Sequence, residues 1–256
     1  MIKLSIITIN YNDKHGLEKT VNSVISQSYK EIEYIVIDGA STDGSLDVIK
    51  SNESQIAFWE SEKDKGIYDA QSKGAKKANG GYQLFLNSGD VLSTNTIIEE
   101  VIPFLEGKEF YYGNLLLNKS GIIEQHKAPE QIDLDFMLNS TFWHPCLFIK
   151  SDLFKRFGCY NIDFKIAGDY EFFIRCLTKP AIETQYIDKF ITLFDGDGIS
   201  NNPKHIDAMN LERNKAWENN VSLIIYEAIK KHLTFKRTKY AAWLNKLQHI
   251  RGKEQF

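Results

Sequence analysis

The chain has 256 residues, of which 43% are hydrophobic and 25% are charged, a composition typical of a globular protein with a full apolar core. Its formal net charge of −3 at pH 7 argues against a general nucleic-acid-binding protein, which would carry a basic excess. The three cysteines, Cys146, Cys159 and Cys176, form no CxxC pair. We therefore expect them to be reduced core residues in a cytosolic protein.

Neither the beginning nor the interior of the sequence predicts insertion into a membrane. The opening residues, MIKLSIITINYN, lack the long apolar stretch and small-residue cleavage site of a signal peptide. No run approaches about 18 apolar residues, so no transmembrane helix is expected. The sequence predicts a cytoplasmic protein in which any membrane contact is peripheral.

The first half of the chain alternates predicted strands with predicted helices. Residues 4–9 (LSIITI) and 32–37 (IEYIVI) are apolar runs typical of strands buried on both faces. Residues 55–59 and 82–86 are further strand candidates, and helical patterns separate all four. Such repeated βα units predict an α/β fold with a mostly parallel sheet flanked by helices. Ligands of such sheets bind beyond the carboxyl ends of the strands.

The second half of the chain is less regular. Its predicted helices cover residues 97–105 and 168–177. Its predicted strands cover residues 110–117, 122–126, 146–150 and 186–194. From about residue 204 the apolar positions follow a helical pattern. We predict one α/β domain over residues 1–203 and a helical C-terminal extension over residues 204–256.

Three strand ends in the first half are followed by polar clusters. These are NYND at residues 10–13, DGASTDGS at 38–45 and NSGD at 87–90. Turn chemistry alone explains any one of them, but parallel strands bring all three to one edge of the sheet. No GxGxxG follows the first strand and no GxxxxGK[ST] occurs, so the dinucleotide-dependent dehydrogenase and P-loop ATPase classes are not supported.

Several motifs, taken in order, resemble those of family 2 glycosyltransferases with the GT-A fold, of the type that builds bacterial surface polysaccharides. They are SIITINYN, VIDGASTDGS, SEKDKGIYDAQSKGAKKANGGYQLFLNSGD and GDYEFFIR. The resemblance spans about residues 4–200. It implies a Rossmann-like GT-A domain with a nucleotide-binding half over about residues 1–92 and an acceptor half over about residues 93–203.

The resemblance also implies a set of residues that bind the donor, a nucleoside-diphosphate sugar that we expect to be UDP-linked. Asp38, at the end of the second predicted strand, would pair with the uracil base. Lys73 would contact the diphosphate as a point charge. A solvated helix lysine is the alternative for Lys73. Many relatives have a second aspartate where this chain has Gly39. The donor-binding residues implied are Thr8, Asn10, Tyr11, Asp38, Asp64, Asp69, Lys73, Asn87 and Ser88.

The segment LNSGD matches the region in which relatives hold a divalent cation, Mn²⁺ or Mg²⁺, against the donor diphosphate. Here Asn87, Ser88 and Gly89 supply no carboxylate, and only Asp90 remains as a metal ligand. Asn87 or Ser88 could add an oxygen. Because these ions take several oxygen ligands, we predict weak metal binding unless the diphosphate supplies the others.

The segment AGDYEFFIR matches the motif that carries the catalytic base of the family, which implies this role for Asp169. A position at the start of a helix favours the ionised carboxylate, and an inverting transfer needs one base for the attacking hydroxyl. The acidic residue that usually precedes it is Gly168 here. Glu171 and Arg175 occupy the next acidic and basic positions and are candidates for contact with the acceptor or diphosphate.

Two further segments have both a functional and a structural interpretation. Trp143 and His144, before a predicted strand, are candidates for contact with the acceptor or diphosphate, although a lone histidine is more often structural. The DGDGIS loop at residues 195–200 could close over the donor as a lid or could form an ordinary turn.

The C-terminal segment has a basic amphipathic pattern with two interpretations. Its cations are Lys230, Lys231, Lys236, Arg237, Lys239, Lys246, Arg251 and Lys253. One interpretation is a peripheral contact with an anionic membrane surface that presents a lipid-linked acceptor. The other is a helical cap whose basic face is in solvent.

The sequence thus predicts a metal-dependent, inverting glycosyltransferase with a saccharide or lipid-linked acceptor and no nucleic-acid partner. Two alternatives stay open. The reduced metal motif is compatible with an inactive GT-A scaffold that binds nucleotide sugars or a partner protein. A nucleotidyltransferase would show a glycine-rich basic loop after the first strand, which NYNDKHG matches poorly.

Overall fold

A computed structural model describes residues 4–196, 203–222, 224–231 and 234–235. Most of the predicted DGDGIS lid, and the basic residues from Lys236 onward, lie outside the described residues. Among the described residues, no helix is long and apolar enough to cross a membrane.

The first half of the chain forms the predicted parallel sheet. Its strands are β1 (Leu4–Asn10), β2 (Ile32–Asp38), β3 (Phe58–Ser61) and β4 (Tyr82–Asn87), in the order β3-β2-β1-β4. The connecting helices are α1 (Lys14–Ile25), α2 (Ser45–Ser51) and α3 (Ile67–Lys77). The parallel register pairs Asn10 with Asp38 and Ile9 with Asn87, so the polar strand ends meet at one edge.

The second half extends the same sheet in mixed orientation. Its strands are β5 (Val91–Leu92), β6 (Phe110–Lys119), β7 (Ile122–His126), β8 (Leu147–Lys150) and β9 (Thr184–Asp195), and the order continues β4-β8-β6-β9-β5 with β7 beside β6. β8 is antiparallel to β4 and β6, whereas β9 is parallel to β6. The helices are α4 (Ile97–Val101), α5 (Leu134–Asn139), α6 (Asp152–Phe157), α7 (Gly168–Leu177) and α8 (Ile206–Asn220).

Two apolar cores cover the two faces of the sheet. Along β1, Ile7 and Ile9 face the core that contains Phe172 of α7 and Trp217 of α8. Leu4 and Ile6 face the opposite core, which contains residues of α1, α2 and α4. Because side chains alternate along a strand, a run that is apolar at nearly every position is needed to fill both cores.

Close packing of α3 against β1 fixes the helix that borders the site. Gly74 makes this approach possible, because a Cβ at this position would lie 2.4 Å from Cγ2 of Ile7.

Among the predicted elements, one helix and one strand differ most in extent from those observed, and two observed helices were not predicted. The predicted helix over residues 97–105 ends at Val101 and continues as one 3₁₀ turn, Ile102–Phe104, since Pro103 has no N–H for an α-helical bond. β3 begins at Phe58, three residues later than predicted. Helices α5 and α6, of six residues each, are too short for a helical repeat to be recognised in the sequence.

Candidate active site

A hydrogen-bond network joins the loops that follow β1, β2 and β4. Asn10 donates from Nδ2 to Oδ1 of Asp38 over 2.7 Å and to Oγ of Ser41 over 3.1 Å. The hydroxyl of Ser88 donates to Oδ1 of Asn10 over 2.8 Å. Asn10 is only 4% exposed, so its amide serves as the central link between the three strand ends.

Asp38 is fully buried, and its carboxylate accepts four hydrogen bonds. Oδ1 accepts from Asn10 and from Oγ of Ser41, and Oδ2 accepts from the backbone N–H of Ser41 and from Oγ of Ser61. Burial raises the pKa of Asp38, but these bonds outweigh it and hold the pKa below its ordinary value. A carboxylate has about four acceptor positions, and all four are filled here without a uracil base. In this structure Asp38 holds Asn10, Ser41 and Ser61 together.

Thr8 is also fully buried. Its Oγ1 accepts a hydrogen bond from the hydroxyl of Tyr34 over 3.0 Å. Thr8 thus lies buried within β1 in this structure, and its contact with a nucleotide stays a prediction.

Tyr11, Gly39 and Asp64 lie together beside this network. The ring of Tyr11 is 68% exposed. A Cβ at Gly39 would lie 2.7 Å from Oδ2 of Asp64 and 3.1 Å from Cδ2 of Tyr11. A Cβ at Gly39 would have to displace the Asp64 carboxylate, so the glycine lets that carboxylate lie beside Tyr11.

The other two predicted donor ligands on the α3 segment bind the chain itself. Asp69 accepts from the backbone N–H of Lys65 over 3.0 Å. Lys73 donates to Oε1 of Glu62 over 2.7 Å and lies 4.0 Å from Asp69. This bond to Glu62 raises the pKa of Lys73. Lys73 is thus ion-paired on the helix surface and does not line the cavity described below, and its contact with the diphosphate stays a prediction.

The loop after β4 folds back on itself around Asp90. Oδ2 of Asp90 accepts the backbone N–H of Asn87 over 2.9 Å, and Gly89 has the positive φ of 99° that this turn requires. Asp90 is 3% exposed. Within the described residues, no group of three or more His, Cys, Asp or Glu side chains could hold a metal, so the protein offers one carboxylate with amide and hydroxyl oxygens beside it.

A cavity of about 400 Å³ lies between α3, the loop after β4, the α5–β8 connection and α8. Asp169 and Asn87 line it, as do Trp143 and His144. The structure therefore brings residues of the two predicted halves together around the predicted base. Asp90 and Lys73 do not line this cavity.

Tyr68 of α3 orients the carboxylate of Asp169. Its hydroxyl lies 3.1 Å from Oδ1 of Asp169 and 2.7 Å from the carbonyl of Ile166. Burial and the nearby Asp169 charge raise the pKa of Tyr68 well above its ordinary value, so the phenol stays protonated. Gly168 is needed for this contact, because a Cβ there would lie 2.7 Å from the Tyr68 ring.

The helix that carries Asp169 is capped by a residue of α8. Ala167, the residue before α7, has no side chain that could cap it. The carboxylate of Glu212 instead accepts the backbone N–H groups of Lys165, Ile166 and Ala167 over 2.7, 2.9 and 2.8 Å. The sequence analysis missed Glu212, because nothing in a polar helical pattern indicates which distant loop an acidic side chain will reach.

Glu171 and Arg175 form an internal ion pair away from the cavity. Nε and Nη2 of Arg175 donate to the Glu171 carboxylate over 3.1 and 2.9 Å, and Asn220 donates to it over 3.0 Å. Arg175 also donates to the carbonyls of Phe157 and Cys159. The pair ties α7 to α8 and to the loop after α6, and it does not line the cavity.

His144 is a packed core residue at the wall of the cavity. Its Nε2 lies 2.9 Å from the hydroxyl of Tyr160, and its ring stacks on Phe85 with centroids 4.9 Å apart. Burial lowers the pKa of His144 to about 4, although Asp169 acts in the opposite direction. A neutral imidazole is the form expected near pH 7. The half-buried Trp143 lines the cavity beside it, with the ring of His126 at 6.2 Å.

Arg213 is a second residue of α8 that the sequence analysis missed. It lines the cavity, donates from Nη2 to the carbonyl of Ser140 and lies over the ring of Tyr170 at 4.4 Å. Among the described residues, no carboxylate forms an ion pair with it. A guanidinium has five N–H donors, so this cation retains donors for a bound anion.

Comparison with solved structures identifies the class of fold. The UDP complex of TarS from Staphylococcus aureus matches with a TM-score of 0.64 at 18% identity, over 87% of this chain and 76% of that one. The mannosyltransferase PcManGT from Pyrobaculum calidifontis, solved with GDP-Man and Mn²⁺, matches with a TM-score of 0.57 at 15% identity, over 75% and 56% of the two chains. The fold is that of GT-A glycosyltransferases.

Comparison of sequences defines the family. The model of glycosyl transferase family 2 matches residues 5–167. An uncharacterized glycosyltransferase of Mycobacterium tuberculosis is 35% identical over 178 residues, 67% of this chain and 68% of that protein. The Escherichia coli glucosyltransferase WfaP, named as transferring from UDP-Glc to α-D-GlcNAc-diphosphoundecaprenol, is 31% identical over 211 residues, 79% and 82% of the two chains. This chain belongs to glycosyl transferase family 2, and the predicted fold and family are confirmed.

Proposed function

We propose that this glycosyltransferase transfers a sugar from a UDP-linked donor to a hydroxyl of a saccharide or lipid-linked acceptor, with inversion at the anomeric carbon, in cell-surface polysaccharide synthesis. The observation that carries the proposal is the half-buried Asp169 carboxylate, which lines the same cavity of about 400 Å³ as Asn87 at the end of β4. The donor and acceptor named for WfaP support these substrate classes.

The nucleotide would bind at the exposed face of Tyr11, beside Gly39 and Asp64. The exposed ring of Tyr11 offers a stacking surface for a base, and Oδ2 of Asp64 has no hydrogen-bond partner among the described residues. A carboxylate accepts the N–H of uracil. Asp64 is thus better placed for this contact than Asp38, whose acceptor positions are filled, and Asn10 and Asp38 would hold the surrounding loops in place.

A divalent cation, Mn²⁺ or Mg²⁺, fits the oxygen atoms of the loop after β4 if the donor diphosphate supplies the remaining ligands. Asp90 would hold it, with Asn87 or Ser88 contributing through an amide or hydroxyl oxygen. These are the hard donor types that such cations prefer. The cation would supply charge neutralisation for the departing diphosphate. The Mn²⁺ complex of PcManGT supports this requirement.

Asp169 would act as the general base. Its Oδ1 accepts from Tyr68 and from the backbone N–H of Tyr170, whereas Oδ2 has no hydrogen-bond partner among the described residues. Oδ2 would accept the proton of the acceptor hydroxyl while that oxygen bonds to the anomeric carbon. The bond between that carbon and the diphosphate oxygen breaks on the opposite face, and UDP leaves with the electron pair.

Arg213 and Trp143 would bind the acceptor. Both belong to the second half of the chain and line the cavity with Asp169. A guanidinium binds phosphate oxygens with paired N–H donors, so a diphosphate-linked saccharide is the acceptor class that Arg213 favours. The half-buried indole of Trp143 offers an apolar face to a sugar ring.

The proposal is tested by incubating the purified protein with a panel of UDP- and GDP-sugars and diphosphate-linked saccharide acceptors, with and without Mn²⁺. We expect nucleoside diphosphate to be released from a UDP-sugar, and NMR of the product should show the anomeric configuration opposite to that of the donor. A retained configuration would refute inversion. If the protein binds a UDP-sugar but shows no turnover with any of the acceptors, the result would instead favour an inactive GT-A scaffold that binds nucleotide sugars.

A further inference from the structure

Two buried glutamines of the described chain have an amide oxygen without a hydrogen-bond partner, Gln71 and Gln83. Each is 1% exposed. A buried acceptor that is left unpaired is unfavourable, and such atoms are rare in native proteins unless a ligand or water completes them. Only Gln71 lines the cavity that contains Asp169. Gln83 donates to the carbonyl of Ala75 within the core.

The amide of Gln71 lies at the wall of the cavity that Asp169 and Asn87 also line. Its Nε2 donates to Oδ1 of Asn87 over 3.2 Å. Tyr68, three residues earlier on α3, donates to Asp169. Residues three apart share a helix face, so one face of α3 contacts both the base and Asn87. The transferred sugar must lie beside the base during transfer, so it would occupy the cavity that Gln71 lines.

We propose that Oε1 of Gln71 accepts a hydrogen bond from a hydroxyl of the transferred sugar and thereby selects the donor. This inference rests on the proposed function, because it requires a nucleotide sugar in the cavity. The amide oxygen needs a hydrogen-bond donor, and the hydroxyl groups of a sugar can donate such a bond. A site that hydrogen-bonds a substrate hydroxyl discriminates strongly against the analogue that lacks it, since its own buried group is then left unpaired.

The test compares the wild-type enzyme with Gln71→Met and the matched control Gln83→Met. Methionine keeps the approximate length of the side chain and removes the amide. For each protein, kcat/KM is measured with the preferred UDP-sugar and with analogues that each lack one ring hydroxyl. In the wild type we expect one deoxy donor to react about 10- to 100-fold more slowly than the complete donor.

In Gln71→Met we expect that same deoxy donor and the complete donor to react at similar rates, while Gln83→Met keeps the wild-type ratio. A general structural defect would lower kcat/KM for all donors and leave the ratio unchanged. The inference is overturned if Gln71→Met retains the ratio, if Gln83→Met loses it equally, or if the wild type distinguishes no deoxy donor. Absence of turnover with every donor in the wild type would refute the proposed function itself, and the inference with it.

Discussion

Replacing Glu212 with alanine should both destabilise the protein and impair catalysis. Its carboxylate accepts three backbone N–H groups from residues 165–167 over 2.7–2.9 Å. Bonds to a charged acceptor contribute about 1.5–3 kcal/mol each, but water can replace part of this at the exposed Lys165. We expect a loss of about 2–4 kcal/mol of unfolding free energy, which corresponds to about 5–15 °C in Tm for a chain of this size.

We expect Glu212→Ala to impair catalysis because the residues that Glu212 holds lie close to Asp169 in the sequence. Asp169 lies two residues after Ala167, the last residue that Glu212 holds. A displacement of about 1 Å at a catalytic group can lower the rate by about 100-fold. We therefore expect Glu212→Ala to reduce kcat by about 10- to 100-fold with a smaller change in the KM of the donor. Glu212→Gln, which keeps one acceptor oxygen, should be intermediate in both Tm and kcat.

The measurements are thermal unfolding and steady-state kinetics at a temperature well below the lowered Tm. Glu218→Ala is the matched control, because Glu218 is an exposed glutamate of the same helix. An unchanged Tm and kcat in Glu212→Ala would refute the capping role. A fall in Tm with an unchanged kcat would show that the loop before α7 does not position the base.

Four further predictions concern the base, the buried histidine, the cation and the acceptor. Asp169→Asn should lower kcat by about 10²- to 10⁴-fold with the donor KM nearly kept; unchanged turnover would remove this residue from the mechanism. Burial lowers the pKa of His144 from 6.5 to about 4, so the unfolded state takes up a proton at His144 at higher pH than the folded state, and the free energy of unfolding should fall by up to about 3 kcal/mol between pH 6.5 and 4. Urea unfolding at several pH values should show a smaller fall in the free energy of unfolding over this range in His144→Gln. Calorimetric titration should detect Mn²⁺ binding with UDP present and little binding without it, whereas tight binding to the nucleotide-free protein would contradict the single-carboxylate site at Asp90. Arg213→Ala should raise the KM of a diphosphate-linked acceptor by about 10- to 100-fold and Arg213→Lys by less, and an effect confined to the donor KM would assign the arginine to the donor instead.

The first half of the fold could be predicted because its signals are local. Leu4–Asn10 and Ile32–Asp38 carry apolar residues on both faces, which identifies strands that fill two cores. The polar residues after them then had to meet at one edge, and the network of Asn10, Asp38 and Ser88 confirms that they do.

The chemistry of single side chains was less predictable, because it depends on partners far away in the sequence. Lys73 has the charge and position of a phosphate ligand, and its ion pair with Glu62 could not be predicted from the sequence. Asp38 has the right residue type for a base contact, but Ser41, Ser61 and Asn10 fill its acceptor positions. Conversely, no local pattern in the sequence indicates the role of Glu212, since the three backbone N–H groups that it binds lie about 46 residues earlier.

The central position of Asn10 sets a condition for engineering donor specificity in this enzyme. Its amide donates to Asp38 at the end of β2 and accepts from Ser88 in the loop after β4. The polar groups of each segment therefore find their hydrogen-bond partners in the other two. A chimera that takes one of these loops from a relative with different polar residues would leave a buried amide or carboxylate group unpaired. Exchanges of donor preference between relatives should therefore transplant the loops after β1, β2 and β4 as one unit.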